Sequence, residues 1–331
     1  MIITKTPFRI SFFGGGTDYP GWFRKYGGSV LSTTIDKYCY ISCRRLPQFF
    51  EHKHRIVYSQ IETVRAISEI KHPSVRGVMN WAGISDGLEI HHDGDLPARS
   101  GLGSSSAFTV GLIHALSGLK GGLVDKKFLA KNAIYIEQKI LAENVGSQDQ
   151  VAAAYGGLNR ITFNQDDSFD VSPITLDTLR LAELKSHLML FFTGFSRTAD
   201  LIAKFQIENM KQRERELKCM GEMVNESIEI LSNHFVNIDE FGKLLDVSWQ
   251  YKRSLSDRIS TPEIDLIYAT AKKAGAIGGK ILGAGGGGFM LIFAKPHRHQ
   301  AIREQLSNLV HVNFEFDRDG SKVALYQPNG L

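Results

Sequence analysis

A chain of 331 residues, 43% hydrophobic and 22% charged, has the make-up of a globular protein and the length for two ordinary domains with sizeable cores. Its formal net charge of +4 falls well short of a nucleic-acid binder's footprint, no apolar run is long enough to span a bilayer, and the first residues form no signal-type apolar segment. A cytoplasmic protein without nucleic-acid or membrane partners is therefore expected. Cys39, Cys43 and Cys219 make neither a C-x-x-C pair nor a zinc spacing, which suits a reducing compartment.

The chain opens on strand-like residues 2–13, with a strand pair expected to break near Pro7. It then enters Gly14-Gly15-Gly16-Thr17-Asp18-Tyr19-Pro20, a tight loop able to present a carboxylate at close backbone range, or simply a glycine-rich turn. Residues 27–32 and 35–44 predict a hairpin. The basic cluster Arg44, Arg45, His52, Lys53, His54 and Arg55 reads as a solvated loop, and its two nearby histidines lack a third metal ligand. A strand over 87–92 leads into Leu96-Pro97-Ala98-Arg99-Ser100-Gly101-Leu102-Gly103-Ser104-Ser105-Ser106-Ala107. Apolar residues at helical spacing follow over 107–116. A Gly/Ser segment between strand and helix places free N–H groups and the positive helix end together, which makes an anion site. A serine N-cap behind a flexible turn is the alternative for the same residues. No lysine follows these glycines, so the segment is not a Walker A loop.

A helix is predicted over 125–143, with Asp125 at its N-cap, Glu137 within it, and Phe128, Leu129, Ile136, Ile140 and Leu141 as its apolar face. Gly146-Ser147-Gln148-Asp149-Gln150 introduces a short helix over 151–155, ended by Gly156-Gly157. Asp149 there is either a functional acid or a dipole partner. A strand over 158–163 follows, and the loop around Asp166 and Asp167 looks like surface. In the second half, 187–193 reads as a buried strand, and long helices are predicted over 199–233 and 239–255. Thr261-Pro262 starts a helix through 274. Gly278 to Gly288 precede a strand over 289–294, and a last helix (297–309) and strand (310–316) complete what looks like a small α+β sandwich. Gly283, Gly285 and Gly288 spell G-x-G-x-x-G, but a strand follows where a dinucleotide fingerprint needs a helix. Close packing of that backbone on another element or a ligand is the better explanation.

Three segments in order resemble the motifs of the GHMP kinases, the family of galactokinase and of homoserine, mevalonate and phosphomevalonate kinases. They are Pro7-Phe8-Arg9-Ile10-Ser11-Phe12-Phe13-Gly14-Gly15-Gly16-Thr17-Asp18-Tyr19, residues 97–107, and residues 280–289. The resemblance implies a two-domain α+β fold. Residues 1–180 would be an N-terminal α/β domain with a left-handed crossover (ribosomal-protein-like), and 181–331 a ferredoxin-like α/β sandwich, with the active site between them. It implies ATP and Mg2+ as cofactors. Pro97, Arg99, Ser100, Gly101, Leu102, Gly103, Ser104, Ser105 and Ser106 would hold the ATP phosphates, with Gly285 and Gly286 closing over them. Ser105 and Glu137 would bind Mg2+, Asp149 would be the base, and Arg9 would stabilise charge between donor and acceptor. Asp18, with Gly15, Gly16 and Thr17, would hold the sugar. Phosphoryl transfer asks mainly for such positioning and charge neutralisation.

One departure bears on substrate. Galactokinases carry Gly-Glu-His-Thr-Asp where this chain has Gly14-Gly15-Gly16-Thr17-Asp18, so a negative charge and its volume are missing beside the sugar's exocyclic end. With Ser260-Thr261-Pro262-Glu263-Ile264-Asp265 and the 278–289 run, the chain looks most like the heptose 7-phosphate kinase branch. That branch phosphorylates the anomeric hydroxyl of a sugar phosphate, D-glycero-D-manno-heptose 7-phosphate, on the route to GDP-heptose for surface polysaccharide. The alternatives are another anomeric sugar kinase, fucokinase- or galactokinase-like, or a non-catalytic sugar and ATP sensor. A phosphate on the sugar prefers cationic clamps, for which Arg44, Arg45, Arg197, Lys252, Arg253 and Arg258 are candidates. Oligomeric state is not legible in the sequence.

Overall fold

The computed structural model describes residues 1–98, 100–122, 124–194, 199–210 and 212–327. Its first element is a single strand, β1 (Ile2–Phe13), rather than a pair broken at Pro7. Proline cannot donate to a ladder, and here the register against the neighbouring strand shifts between Pro7 and Phe8, so the missing N–H falls at a bulge. A short helix, α1 (Pro20–Tyr26), starts on its proline and turns the chain into β2 (Gly28–Arg45). The expected hairpin is this one long strand.

β3 (His54–Val57), β4 (Ile61–Val64), α2 (Pro73–Trp81) and β5 (Leu88–Gly94) follow, with β3 parallel to β5. The basic cluster is more than a solvated loop. Arg44 and Arg55 flank the buried Glu89 carboxylate at 2.5 and 3.1 Å, and buried His54 accepts the Leu88 N–H at 3.3 Å.

α3 (Ser104–Leu119) is apolar nearly all round and is accordingly buried, packed on β1 and β2. α4 (Lys126–Tyr135) is capped by Asp125, which accepts the Phe128 N–H at 2.6 Å. It runs into a π-helical turn, Ile136–Ile140, and stops short of the predicted end at 143. Its buried face is Leu129, Ala130, Ala133 and Ile136, while Phe128 and Ile140 are exposed. α5 (Gln148–Tyr155) ends at Gly156, where a Cβ would stand 1.9 Å from the Gly320 nitrogen. β6 (Asn159–Phe163), β7 (Phe169–Pro173) and α6 (Thr178–Ser186) complete this half.

The second half begins with β8 (Leu188–Phe192). The helix predicted over 199–233 is two, α7 (Ala199–Asn209) and α8 (Glu214–Ser232), followed by α9 (Asp239–Ser254) and α10 (Pro262–Lys273). Thr261 caps α10 as expected, accepting the Ile264 N–H at 3.3 Å. β9 (Ala276–Ile281) and β10 (Phe289–Ala294) flank the glycine run. α11 (His299–Gln305), β11 (Val310–Val312), β12 (Phe316–Asp317) and β13 (Lys322–Tyr326) end the described chain.

Among the described residues the strands form two sheets. The nine-stranded sheet runs β13-β1-β2-β5-β3-β4, with β12 and β6 also on β2 and β7 on β6. Within β2, residues 28–32 pair with β6 and 39–45 with β5, which is why its sequence resembles two strands. The four-stranded antiparallel sheet runs β11-β8-β10-β9, the ferredoxin-like order for a chain that reads β8, helices, β9, β10, α11, β11. A boundary at 180/181 does not divide the two sheets cleanly, because β12 and β13 return to the first.

Both faces of the smaller sheet are buried, as continuous apolar strands require. Leu188, Leu190, Phe289, Leu291 and Phe293 belong to one core with Phe12 and Phe13 of β1, while Met189, Phe191, Met290 and Ile292 join a second core with α10. Phe241 of α9 wedges between the sheets, its ring 5.4 Å from Phe12, 5.1 Å from Phe13 and 5.9 Å from Phe293. No described helix is long and apolar enough to cross a membrane.

Candidate active site

Where the sheets meet, a cleft is lined by Arg9 and Ser11 of β1, Gly15, Gly16 and Asp18 of the first loop, the start of α3, the start of α5, Lys252, Lys280 and Gly283-Ala284. At its centre Arg9 and Asp149 form a bidentate pair. Arg9 Nε donates to Oδ1 at 2.8 Å and Nη2 to Oδ2 at 2.7 Å, while Nη1 donates to the Gly101 carbonyl at 2.6 Å. Arg9 is 3% exposed and the Asp149 side chain 26%, so the cation lies behind a carboxylate that still faces the cleft. Such fork-to-fork geometry fixes the orientation of the carboxylate.

Asp18 is buried, and both its oxygens are occupied by backbone. Oδ1 accepts the Gly16 N–H at 2.9 Å and Oδ2 the Gln148 N–H at 3.3 Å, while its own carbonyl accepts the Ser147 N–H at 2.9 Å. It therefore caps α5 from another part of the chain and fixes the helix turn that carries Asp149. Gly146 fits beneath it because a Cβ there would lie 1.9 Å from Asp18 Oδ2. Burial pushes the Asp18 carboxyl up, with the Asp149 charge adding to the rise and the Gly16 and Gln148 N–H groups opposing it.

Of the other expected sugar residues, Gly15 and Gly16 line the cleft. Thr17 does not: its hydroxyl donates to the carbonyls of Gly14 at 2.8 Å and Ser29 at 2.9 Å, and holds the turn. Ser11 and Gln148, absent from the expectations, pair across the same wall at 2.7 Å.

The start of α3 is the segment expected to bind an anion. Gly103 takes the left-handed conformation (φ 74°) and leads into Ser104–Ser106, all lining the cleft. A Cβ at Gly103 would sit 3.2 Å from Arg9 Cγ and 3.4 Å from Asp149 Oδ2, so the loop backbone lies directly on the ion pair. Leu102 is core, and its carbonyl accepts the Arg9 N–H at 3.0 Å. Ser100 is buried and Pro97 is exposed outside the cleft. Arg99, like Arg197, lies outside the described residues.

Glu137 stands behind this turn, fully buried. Ser106, rather than Ser105, meets it: the Ser106 hydroxyl donates to Oε2 at 2.9 Å, and so does the Gln150 amide, while Oε1 has no partner among the described residues. Ser105 is exposed to the cleft. Burial raises the Glu137 carboxyl to about 7, the Glu143 charge adding to it and hydrogen bonds from Thr109, Gln150 and Ser106 holding it back. Among the described residues no group of three or more His, Cys, Asp and Glu is arranged to hold a metal.

The glycine run between β9 and β10 packs backbone to backbone on the loop before α3. A Cβ at Gly283 would be 2.6 Å from Gly101 Cα, and one at Gly288 2.2 Å from the Ser100 carbonyl, which also accepts the Phe289 N–H at 3.1 Å. Gly283 and Ala284 reach the cleft, whereas Gly285 and Gly286 are turned onto Ile259, whose carbonyl accepts the Gly286 N–H at 2.9 Å.

Among the described candidates for a phosphate clamp, Lys252 alone lines the cleft. Arg44 is held by Glu89, Arg45 by Asp86 and Arg253 by Asp265, and Arg258 lies 3.5 Å over the Phe205 ring. Lys280 was not among those candidates. Its signal was a lysine inside an apolar strand, which is costly unless the charge is used.

Two family models match the chain: "GHMP kinases N terminal domain" over residues 63–157 and "GHMP kinases C terminal" over 235–311, together just over half of it. The chain is 29% identical to a D-glycero-alpha-D-manno-heptose 7-phosphate kinase of Campylobacter jejuni, covering 97% of this chain and 98% of that one. Its fold is similar to the crystal structure of a D-glycero-D-manno-heptose 1-phosphate kinase of Bacteroides thetaiotaomicron (TM-score 0.81, 24% identity, covering 99% and 100% of the two chains). It is also similar to Streptococcus pneumoniae phosphomevalonate kinase in complex with phosphomevalonate and AMPPNP (TM-score 0.74, 17% identity, 96% and 100% covered). With the motifs, the two-sheet fold and both family models in agreement, this chain belongs to the GHMP kinases.

Proposed function

We propose that the protein transfers the γ-phosphoryl group of ATP to the anomeric hydroxyl of D-glycero-D-manno-heptose 7-phosphate, giving the 1,7-bisphosphate on the route to GDP-heptose. The observation that carries this reading is the Arg9–Asp149 pair, held at 2.8 and 2.7 Å between the first loop and the start of α3. The N-terminal end of α3 takes the nucleotide phosphates. Asp149 takes the proton of the attacking hydroxyl, and Arg9 orients that carboxylate and offers positive charge where the phosphoryl group passes. In this reading residues 1–180 carry the ATP loop and the catalytic pair, and 181–331 the closing loop.

The oxygen donors that would hold a divalent cation are Glu137, which keeps one buried oxygen without a partner among the described residues, and Ser105, exposed to the cleft and next in sequence to the Ser106 that bonds Glu137. Mg2+ bound there supplies neutralisation of the nucleotide's phosphate charge. The heptose assignment draws on the Campylobacter relative and on Gly15. A Cβ at Gly15 would meet nothing closer than Gln148 Nε2 and Ser11 Oγ, both at 3.8 Å. The fold therefore does not demand glycine there, and its missing side chain leaves room for a longer, phosphorylated tail.

The test is ADP release with ATP and Mg2+, comparing heptose 7-phosphate with unphosphorylated heptose, galactose, fucose and mannose. Turnover confined to the 7-phosphate is expected. Turnover on a neutral hexose would keep the kinase and discard the heptose, and saturable ATP binding without turnover would favour a sensor. In the same assay Asp149→Asn is expected to cut kcat by about 100-fold or more while ATP affinity stays near wild type. Near-normal turnover would remove Asp149 as the base.

A further inference from the structure

The cleft contains more positive charge than its carboxylates consume. Lys280, next to last in β9, is 2% exposed, and its Nζ donates to the Phe12 carbonyl at 2.8 Å. Lys252, in the last turn of α9, is 6% exposed and donates to the carbonyls of Ile281, at 3.1 Å, and Gly283. Arg9 from β1 is the third buried cation lining the same space. Against them stand two carboxylates, Asp149 on α5 and Asp18 on the first loop. Asp149 spends both oxygens on Arg9, and Asp18 both on backbone N–H groups. Among the described residues no carboxylate lies within salt-bridge distance of Lys252 or Lys280.

A buried cation without a counter-charge is unfavourable, because its hydration is lost with no opposite charge to replace it. Burial pushes the Lys252 ammonium down to about 7, with Arg9 lowering it further and Asp18 and Asp149 pulling it back up. Lys280 is held well below the usual lysine range by burial, then by Lys252 and Arg9. Carbonyls anchor both ammonium groups without neutralising them. Two such lysines beside a bidentate arginine are suited to one kind of ligand, a compact multivalent oxyanion.

We propose that Lys252 and Lys280, with Arg9, form the seat of the phosphoryl group during its transfer, on the acceptor side of the phosphates held at α3. The inference rests on the kinase reading above. In that step a P–O bond forms to the acceptor oxygen as the bond to the ADP oxygen breaks, the acceptor proton goes to Asp149, and the ammonium groups balance charge on the three non-bridging oxygens. The glycine loop is tied to the seat, because Lys252 holds the Gly283 carbonyl.

The test uses Lys280→Met, Lys252→Met and Lys252→Arg in the full chain. Each Met variant is expected to lose about 100-fold in kcat, the scale of removing one charge-stabilising donor, with the ATP KM within about threefold of wild type and Lys252→Arg partly restored. Ligand-free melting temperatures of the Met variants should equal or exceed wild type, because an unpaired buried charge has gone. Inorganic sulfate, used as the probe, should raise the wild-type melting temperature and leave the Met variants unmoved. A Met variant with wild-type kcat, or one that melts well below wild type and loses activity only in proportion, overturns the proposal. Should Lys280→Met fail to fold, Lys252→Met and the sulfate titration decide. If wild type releases no ADP, the kinase reading has failed, and the sulfate shift still reports on the anion seat alone.

Discussion

Arg9 and Asp149 stand 140 positions apart in the chain and are brought within hydrogen-bond distance by the strand and helix that carry them. Both were nameable from sequence because they occupy fixed places in recognisable motifs. How their neighbours hold them was not: Asp18 was named for the sugar and not as the cap of α5, and Lys280 stood out only as a lysine inside an apolar strand, because such tertiary roles leave no spacing in the sequence. Glu137 illustrates the same limit, because its partners are Ser106 and Gln150 and neither spacing is diagnostic. Its burial yields a test. The folded carboxyl titrates at about 7 instead of its ordinary 4.5, so between those values the folded state holds a proton that the unfolded state has released. Stability contributed by that proton is complete below pH 4.5 and falls as pH rises through 7. Glu137→Gln removes the dependence. In urea unfolding without Mg2+, the variant should match wild type near pH 4.5 and exceed it at pH 8 by roughly 3 kcal/mol. Parallel stability curves would show that the carboxyl ionises freely in the folded protein.

At the scale of elements, sequence pattern recovered types better than boundaries. Caps were legible where chemistry forces them, as with Asp125 on α4 and Thr261-Pro262 on α10. β1 and β2 were each split in expectation because proline and a change of neighbour interrupt the local pattern, whereas bulges absorb both within continuous strands. Helix 125–143 was overextended for the opposite reason: nothing local announces a π-helical turn. The Leu141 N–H reaches back five residues to Ile136 at 2.8 Å, and that widened turn carries Glu137. A π-turn is a poor hydrogen-bonding choice for a helix and tends to persist where it places a functional side chain. The glycine run shows the converse, a feature conspicuous in sequence whose meaning is tertiary. Gly283 and Gly288 are required because the two halves touch there through backbone, while Gly285 and Gly286 serve the turn on Ile259 and stand away from the cleft.

For the whole molecule, the consequence of that contact is mechanical unity. β12 and β13 carry the end of the described chain back to the first sheet, and Ser321 bonds Thr6 at 2.9 Å and His114 at 3.0 Å across it. Phe241 belongs to the same core as Phe12 and Phe293, one from each sheet. A hydrophobic cluster continuous across both sheets leaves no plane along which the halves can separate without exposing large aromatic side chains, at about 25 cal/mol for each Å² of apolar surface. The cleft therefore lies on a shared core, and its cations Lys280 of β9 and Lys252 of α9 are positioned by the same packing as Arg9 of β1. Calorimetry of the ligand-free protein should show one transition, with van't Hoff and calorimetric enthalpies equal, despite a chain length at which separate domains are common. Saturating ATP should shift that single transition upward by mass action without splitting it. Two resolved transitions, with only one moved by ATP, would mean that the sheets fold independently and that the cleft forms only when they dock.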